Sequence, residues 1–376
     1  MPTILIGGDV VLKSRTLPLF EALDAAALFG DLLPHFEAAD LTLVNLECPL
    51  IERESPIEKT GPVLGAPARC ARTLAVAGVD AVTLANNHIL DHGRQGLEST
   101  IRACEEAGIA TFGAGDNREA AGRMLIRSVE GCRVGMLGMA EHEWSIAGRR
   151  SCGAAGLDLA SFMRTVRENQ GAYDFLVVLL HAGAEHHPYP TPRQMEVCRF
   201  LVEEGAGAVV CQHSHCLGAY EEYRGAPILY GQGNLLFDTY PEQRQTTFYT
   251  GALMALEVGA DGAASTELLP YVQCAGRAGA RLMEPGEART GLAAVKQRSQ
   301  GLQEEAYVKQ KWEEYCAARE KGLLSQIHGH GNLLRRVHHR VGWLRTIYSP
   351  EKRGVLLNLV RCESHREIIE TICGST

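Results

Sequence analysis

The most constraining feature of this chain is a short buried strand followed at once by a polar residue, repeated several times. Helices are predicted between these strands, and this alternation is typical of a layered α/β fold. Open α/β sheets place their ligand sites beyond the ends of the strands. The pattern therefore predicts one shared site, formed by residues of metal-binding type: Asp9, Glu47, Asn87, His181, His213 and His215.

Short apolar runs predict the strands, and a 3.6-residue apolar period predicts the helices. The predicted strands are Thr3–Gly8, Leu41–Leu46, Ala81–Leu84, Arg133–Met139, Phe175–Leu180, Ala208–Cys211 and Pro227–Tyr230. The predicted helices are Arg69–Ala77, Gly93–Ala107, Leu159–Asn169 and Pro192–Glu204. Two later runs, Tyr249–Val258 and Ser265–Val272, flank a Gly-Ala-Asp-Gly turn and are predicted to pair as a hairpin.

After residue 275 the sequence changes character. Three helical patterns follow, at Ala293–Ala318, Leu323–Thr346 and Gly354–Ile372. From Gly291 to the end there are 14 Lys and Arg residues against 9 Asp and Glu, although the chain as a whole has a net charge of -8. We therefore expect a first domain at residues 1–275 and a basic helical C-terminal extension at residues 276–376.

Charge and cysteine use exclude several classes of protein. A net charge of -8 argues against a nucleic-acid partner. The 12 cysteines are scattered without a CxxC pair, which favours reduced thiols. No signal peptide is predicted, and the longest apolar run, Phe175–Leu180, is far too short for a transmembrane segment. The predicted location is the cytoplasm.

Carboxylates combined with imidazoles suit Mn, Fe or Zn better than Ca or Mg. His213 and His215 are two residues apart, so both rings point to one side of an extended segment. Each residue alone also has an ordinary structural explanation. Asp9 could cap a helix, Asn87 could form a turn, and His181 could be a hydrogen-bonded core histidine. Their joint occurrence at strand ends favours a site for one or two divalent ions.

Six stretches of the sequence occur in a specific order and spacing. They are GGDVVL (Gly7–Leu12), NLECPL (Asn45–Leu50), GVDAVTLANNHILDHGRQGLEST (Gly78–Thr100), FGAG (Phe112–Gly115), HAGAE (His181–Glu185) and CQHSHCLGAYEEYRGAPILYGQGNLLFD (Cys211–Asp238). Together they resemble the CapA family, the capsule and poly-γ-glutamate synthesis proteins of the calcineurin-like metallophosphoesterase superfamily. The resemblance covers about residues 3–272.

The resemblance implies a four-layer α/β/β/α sandwich of the metallophosphoesterase type, with two metals between the sheet ends. By motif, Asp9 and His215 would bind the first metal, and Glu47 would bridge both. The second metal would be completed by Asn87, His181 and His213.

The implied function is hydrolysis, in which a metal-bridged hydroxide attacks a phosphate ester or an anionic polymer precursor. His88 would act beside the metals as a general acid or transition-state donor. Two other functions fit the same residues. One is a non-hydrolytic, metal-stabilised component of an envelope-polymer synthesis machine, and the other is metal-dependent amide hydrolysis.

This chain departs from the superfamily pattern at two positions. Val11 stands where a ligand histidine usually follows the first aspartate, and Glu47 replaces the usual bridging aspartate. The first metal would then have three protein ligands and the second metal four. We therefore expect the second site to fill more tightly.

Other residues are predicted to surround the metals. Asp91 is expected to buttress the turn that carries Asn87 and His88. Candidate substrate contacts are Glu185, His186 and His142, for which a solvated polar loop is the alternative interpretation.

The C-terminal extension contains a cationic stretch on a predicted helix. It is interpreted as a solvated or interdomain face, or as a docking surface for an anionic polymer, a phospholipid or an acidic partner subunit, such as one of the envelope-polymer synthesis proteins. Its residues are His328, His330, Arg335, Arg336, His338, His339, Arg340 and Arg345.

Overall fold

The computed structural model describes residues 1–59, 61–239, 246–259, 262–327 and 350–361. The chain forms two compact units, Met1–Lys309 and Gln310–Thr376. The boundary predicted at residue 275 lies inside the first unit. The reason is that a helix after this point packs on the sheets, with Ser299 Oγ accepting the Tyr220 backbone N–H at 2.9 Å.

The strands follow one another along the first unit. In chain order they are β1 (Thr3–Val11), β2 (Leu41–Leu46), β3 (Leu50–Ile51), β4 (Ala66–Pro67), β5 (Ala81–Thr83), β6 (Ala110–Phe112), β7 (Ala114–Gly115), β8 (Leu125–Val129), β9 (Cys132–Ala140), β10 (Gly153–Ala154), β11 (Phe175–His181), β12 (Ala208–Gln212), β13 (Tyr220–Tyr223), β14 (Ala226–Leu229), β15 (Asn234–Phe237), β16 (Thr250–Val258), β17 (Ala264–Gln273) and β18 (Ala280–Leu282).

Most helices lie between the strands, and the last three follow them. The α-helices are α1 (Leu17–Glu21), α2 (Ala25–Phe29), α3 (Leu33–Ala38), α4 (Ala71–Val76), α5 (Gly93–Glu106), α6 (Arg118–Ala121), α7 (Leu159–Glu168), α8 (Pro192–Glu203), α9 (Pro285–Ser299), α10 (Glu305–Ile327) and α11 (Pro350–Arg361). Short 3-10 helices occupy Gly30–Leu32, Ala68–Cys70 and Thr246–Tyr249.

Two large sheets organise the first unit. The larger has the order β18-β17-β16-β1-β2-β5-β6, and β15 pairs with the end of β1. The smaller has the order β13-β14-β12-β11-β9-β8. Strands β1, β2, β5 and β6 run parallel, as do β9, β11, β12 and β14. Their carboxyl ends therefore place the residues that follow them at one edge of each sheet.

Alternate side chains of the strands enter different hydrophobic cores. Ile4 and Ile6 of β1 pack against the smaller sheet, where they meet Val177 and Leu179 of β11. Leu5 faces the core shared with α1 to α5, and a third core joins the smaller sheet to α7 and α8. The three cores define helix, sheet, sheet and helix layers, which confirms the predicted four-layer α/β/β/α sandwich.

Strand β1 differs from its prediction. It was expected to end at Gly8 and instead continues to Val11. Its pairing register with β2 shifts between Ile6 and Asp9, which marks a bulge. Gly8 makes this possible because a Cβ there would lie 1.9 Å from the carbonyl oxygen of Gly233. The bulge therefore lets the backbone that carries Asp9 approach another chain segment.

The hairpin prediction is confirmed, since β16 and β17 pair antiparallel from Thr250↔Val272 to Val258↔Ala264.

The single helix predicted over 293–318 is wrong. Helix α9 begins at Pro285 with a capping box, and the chain leaves helical geometry after Ser299. Gly301 lies against the ring of Tyr307 in the break between α9 and α10, where a Cβ would come 2.2 Å from the ring.

In the second unit, Arg353 of α11 forms an ion pair with Glu320 of α10 at 2.8 Å. The predicted cationic stretch at 328–345 lies outside the described residues. Among the helices that the structure does describe, none has both the length and the apolar character needed to cross a bilayer.

Candidate metal centre

The six predicted ligands meet where the two sheets face each other. The larger sheet supplies Asp9 from β1, Glu47 after β2 and Asn87 after β5. The smaller sheet supplies the other three residues: His181 at the end of β11, and His213 and His215 after β12. The parallel strand order thus brings together residues that are up to about 200 positions apart in sequence.

The first group of ligand atoms surrounds His181 Nε2. This nitrogen lies 3.3 Å from Glu47 Oε1, 3.1 Å from Asn87 Oδ1 and 3.1 Å from His213 Nδ1. Ligand atoms of Glu47, His181 and His213 all lie within 4.8 Å of one another, close enough for one metal ion. We call these four residues the His181 group.

The second group consists of Asp9, Glu47 and His215, whose ligand atoms also lie within 4.8 Å of one another. His215 Nδ1 is 2.8 Å from Asn234 Oδ1 and 3.7 Å from Asp9 Oδ2. The Asn234 oxygen can accept the Nδ1 proton and fix the orientation of the ring, as outer partners of metal-binding histidines do. We call this the Asp9 group.

Glu47 is common to both groups and is 1% exposed. Neither of its carboxylate oxygens has a hydrogen-bond partner within the described residues. Burial raises the pKa of Glu47, and this effect outweighs the opposing influence of His215 and His88. A buried carboxylate without donors is costly unless a cation lies beside it. The donor set of both groups fits a divalent metal of the Mn, Fe or Zn type.

The protonation states of the histidines suit metal binding, which requires neutral imidazoles. Burial lowers the pKa of His181 to about 3, and burial together with His181 lowers the pKa of His213 well below its usual value. His215 behaves differently because Glu47 and Asp9 outweigh its burial and raise its pKa. Burial, reinforced by Glu47, raises the pKa of Asp9 to about 6.

The turn that carries the two histidines after β12 has an unusual backbone. His213 has a φ of 87° and His215 a φ of 54°, both in the left-handed region that non-glycine residues seldom adopt. The His213 backbone N–H donates to Asp9 Oδ2 at 3.1 Å. This contact ties the strained turn of one sheet to the carboxylate of the other, as is common at functional sites.

His88 is held by two charged residues. Its Nδ1 lies 2.6 Å from Asp91 Oδ2, and Lys59 Nζ lies 2.6 Å from Asp91 Oδ1 and 3.4 Å from His88 Nδ1. Burial alone would raise the pKa of Asp91, but hydrogen bonds from His88, Lys59 and the Leu64 backbone N–H lower it. The contact expected between Asp91 and the Asn87-His88 turn is present in the structure.

Sequence reasoning did not select Asn45 or Lys59, and it gave Glu143 no specific role. Asn45 Nδ2 donates to Asp9 Oδ1 at 2.7 Å and lies 3.1 Å from His181 Nδ1, so it links the two sheets. Glu143 Oε2 accepts from Asn87 Nδ2 at 3.1 Å, which orients the amide. Asn45 lies in the NLE motif and could have been found there, whereas nothing local in the sequence points to Lys59.

The three candidate substrate residues are placed differently. The ring of His186 lies 6.1 Å from that of His215, and Glu185 influences the pKa of Glu47, His213 and His215. Both residues thus border the metal centre. His142 instead lies against Gly156, where a Cβ would come 2.9 Å from Nε2, and lines a separate small cavity.

Fold and site together define the class of this chain. It is a four-layer α/β/β/α protein in which two carboxylate–histidine groups share one glutamate. The family model described as "Bacterial capsule synthesis protein PGA_cap" matches residues 3–239. The chain therefore belongs to the bacterial capsule synthesis protein family.

Curated relatives include the capsule biosynthesis protein CapA of Bacillus anthracis, 27% identical over 71% of this chain and 66% of the relative. The PGA biosynthesis protein CapA of Bacillus subtilis is 26% identical over 70% of this chain and 69% of the relative. A probable polyglutamine synthesis accessory protein of Mycobacterium tuberculosis is 31% identical over 54% of this chain and 56% of the relative. The chain thus spans about two thirds of the length of the two Bacillus proteins.

Solved structures with similarity include a hypothetical protein from Thermus thermophilus, with a TM-score of 0.48 and 15% identity, covering 71% of this chain and 98% of that one. The calcineurin-like phosphoesterase YfkN of Bacillus subtilis has a TM-score of 0.44 and 13% identity, covering 82% of this chain and 98% of that one. The family assignment rests on the sequence match and the fold described above.

Proposed function

We propose that this protein is a divalent-metal-dependent hydrolase of the capsule synthesis family. The observation that carries the proposal is Glu47, whose buried carboxylate lacks hydrogen-bond donors and belongs to both ligand groups. Such a carboxylate fits a position between two cations.

The His181 group would hold one ion and the Asp9 group a second. Because the His181 group offers four protein ligands and the Asp9 group three, the first ion occupies the His181 group. When bound, the cations supply a water nucleophile that is active at neutral pH and positive charge for the developing oxyanion. Mn, Fe or Zn matches the mixture of carboxylate, amide and imidazole donors.

His88 would donate a proton to the leaving group. Asp91 occupies Nδ1 of the ring, which leaves Nε2 for the substrate. Lys59 binds the other carboxylate oxygen of Asp91 and keeps the carboxylate directed at His88. Asn45 and Glu143 orient Asp9 and Asn87, so the reacting groups are positioned before the substrate arrives.

The substrate that we propose is a phosphate ester or an anionic polymer precursor. The printed names of the two Bacillus relatives, capsule biosynthesis and PGA biosynthesis, support a role in making an extracellular polymer. Glu185 and His186 border the centre and would contact the substrate. The described cysteines carry no disulfide, which supports action in the cytoplasm.

A non-hydrolytic role in a polymer-synthesis machine is the second candidate. It is favoured by Val11, a buried apolar residue two positions after Asp9 that contributes no ligand to the Asp9 group. In this case metal would stabilise the fold, and the basic C-terminal helices would bind other synthesis proteins. Amide hydrolysis by the same residues differs from the first candidate only in its substrate.

The test is hydrolysis of bis-p-nitrophenyl phosphate, p-nitrophenyl phosphate and a γ-glutamyl anilide by the Mn-loaded protein. We expect metal-dependent turnover of at least one phosphate ester. His88→Ala should lower kcat by about 10²–10⁴-fold, the range for a lost general acid. His213→Ala should abolish activity together with metal binding.

Each other outcome favours a different function. Turnover of the anilide alone would make the protein an amide hydrolase. A metal-loaded protein that turns over none of the three substrates would contradict hydrolysis and favour the non-hydrolytic role. Activity that survives His213→Ala would contradict metal catalysis.

A further inference from the structure

A second cleft opens on the helical side of the smaller sheet. It lies between α6, the loop after β9 and α7, and its volume is about 620 Å³. Four exposed arginines, from these three segments and from the residues just after α6, line it, and we call it the arginine cleft. They are Arg118, Arg123, Arg149 and Arg164.

These arginines form no direct ion pair with a neighbouring carboxylate of the described residues, although Arg118 is close enough to Asp158 to help lower the pKa of that carboxyl group, after the Ser161 backbone N–H. Within the part of the chain that the structure describes, none of the four guanidinium groups lies within 4.0 Å of an Asp or Glu oxygen. Exposed arginines elsewhere on the same unit do pair, such as Arg94 with Asp116 and Arg133 with Asp174. Since the lining has four arginines and two glutamates, the arginine cleft presents a net positive charge at a concave surface.

Two carboxylates, Glu119 and Glu168, line the same cleft, and neither forms an ion pair among the described residues. A ligand that matches the whole lining thus needs anionic groups for the guanidinium forks and N–H donors for the two glutamates. A peptide chain that bears carboxylates has both. A polyphosphate has anionic groups alone and would meet the two glutamates with like charge.

The charge of the rest of the protein also favours an acidic ligand in the cleft. The chain carries a net charge of -8, so an acidic ligand is repelled from most of the surface and attracted to the cleft. Guanidinium groups are well suited to this role because they bind carboxylates in bidentate fashion and are weakly hydrated.

The arginine cleft is also linked to the candidate metal centre by shared walls. A small cavity of about 60 Å³ shares Arg118, Ser161 and Thr165 with the cleft and is lined on its far side by His142. The residue after His142 is Glu143, which contacts the metal-centre residue Asn87. A ligand held in the cleft would therefore touch the loop that forms one wall of the centre.

We propose that the arginine cleft is a binding site for an acidic peptide chain, separate from the metal centre. The proposal goes beyond the proposed hydrolysis, because it concerns holding the chain and not cleaving it. It assigns Arg118, Arg123, Arg149 and Arg164 to the ligand carboxylates, and Glu119 and Glu168 to the amide N–H groups.

The experiment is fluorescence anisotropy with a fluorescein-labelled γ-linked glutamate decamer and the full chain. Wild type should bind, with a Kd that rises as NaCl increases. Arg123→Glu combined with Arg164→Glu should raise the Kd by about tenfold or more, since two charge-assisted contacts become repulsive. The control combines Arg72→Glu and Lys296→Glu, which make the same charge change on α4 and α9 and should alter the Kd by less than about twofold.

A labelled polyphosphate of equal charge tests the chemical class. Tighter binding of polyphosphate than of the decamer would overturn the peptide assignment. Equal Kd values for the cleft and control variants, or no binding of the decamer by wild type, would overturn the site itself. Hydrolysis of p-nitrophenyl phosphate is measured on the same variants. Loss of decamer binding without a change in hydrolysis would support the cleft as a separate binding site. Absence of hydrolysis in wild type would count against the hydrolase proposal and not against the cleft.

Discussion

Both oxygens of Glu47 are buried without hydrogen-bond donors, and Asp9 lies close enough to add like charge. In metal-free protein this arrangement opposes folding, because a charged carboxylate loses its hydration and the attraction of His215 and His88 does not offset that loss. The same residue would therefore favour metal binding and lower the stability of the metal-free chain.

Glu47→Gln should reveal this opposition. It keeps the shape of the side chain and removes its charge, so the metal-free variant should be more stable than wild type by about 1–2 kcal/mol. Thermal unfolding in excess chelator measures the difference. Glu196→Gln, at an exposed position on α8, serves as control and should leave the Tm unchanged. A Glu47→Gln variant that is less stable in chelator would argue against a strained carboxylate.

His187 provides a pH-dependent contribution outside the ligand groups. Burial lowers its pKa to about 4 from the ordinary value of 6.5. The unfolded chain thus binds a proton more readily than the folded one between these values. Stability from His187 is present above pH 6.5 and is lost as the pH falls towards 4, by at most about 1.4 kcal/mol per pH unit.

His187→Gln should remove this slope. Urea unfolding at half-unit steps from pH 7 to pH 4 should show a shallower decline for the variant than for wild type. His35→Gln is a control on α3. Parallel stability curves for His187→Gln and wild type would contradict the assignment.

At the residue scale, the candidate ligands were chosen because each follows a predicted strand and strand ends converge in an α/β fold. The structure brings Asp9, Glu47 and His181 together, although Asp9 lies within β1 and His181 is the last residue of β11. Lys59 could not, since it lies on an irregular segment about 30 residues from its partners His88 and Asp91. Its position depends on how that segment folds back, which apolar periodicity does not encode.

At the scale of the elements, β1 shows why the ends of a strand are harder to predict than its presence. The apolar run predicts the strand, but the bulge at Gly7 and Gly8 and the pairing of its end with β15 depend on a distant segment.

The start of α9 at Pro285 could have been predicted from the sequence, since Pro285 lies in the first turn and Glu284 and Glu287 form a capping box. The prediction followed the apolar pattern that begins at Ala293 and therefore placed the start of the helix too late.

Gly8→Ala should be severely destabilising. Its Cβ would overlap the backbone carbonyl of Gly233, which cannot rotate away as a side chain could. We expect a loss of about 3 kcal/mol or more, or insoluble protein. Gly286→Ala in α9 is the matched control, because a Cβ there meets only the end of the Arg289 side chain at 4.0 Å. A Gly8→Ala variant as stable as Gly286→Ala would contradict the close approach of β1 to Gly233.

At the scale of the whole molecule, the order of strands and helices predicted a layered α/β fold, and the resemblance to the CapA family implied its four layers. The chain-wide charge balance was less informative. The charge balance indicated a basic C-terminal extension, but it did not indicate the four arginines that line the arginine cleft of the first unit. They come from α6, the residues just after it, α7 and the loop after β9, and only the packing of these segments brings them together.

The central claim is that the two sheets meet around a metal site that shares Glu47. Elemental analysis after Mn repletion and extensive dialysis tests it most directly. Wild type should retain at least one equivalent of metal, held first by the His181 group, and Glu47→Gln should retain less than about a tenth of that amount because a shared ligand is lost. Wild-type protein that retains no metal, or Glu47→Gln that retains as much as wild type, would contradict the account.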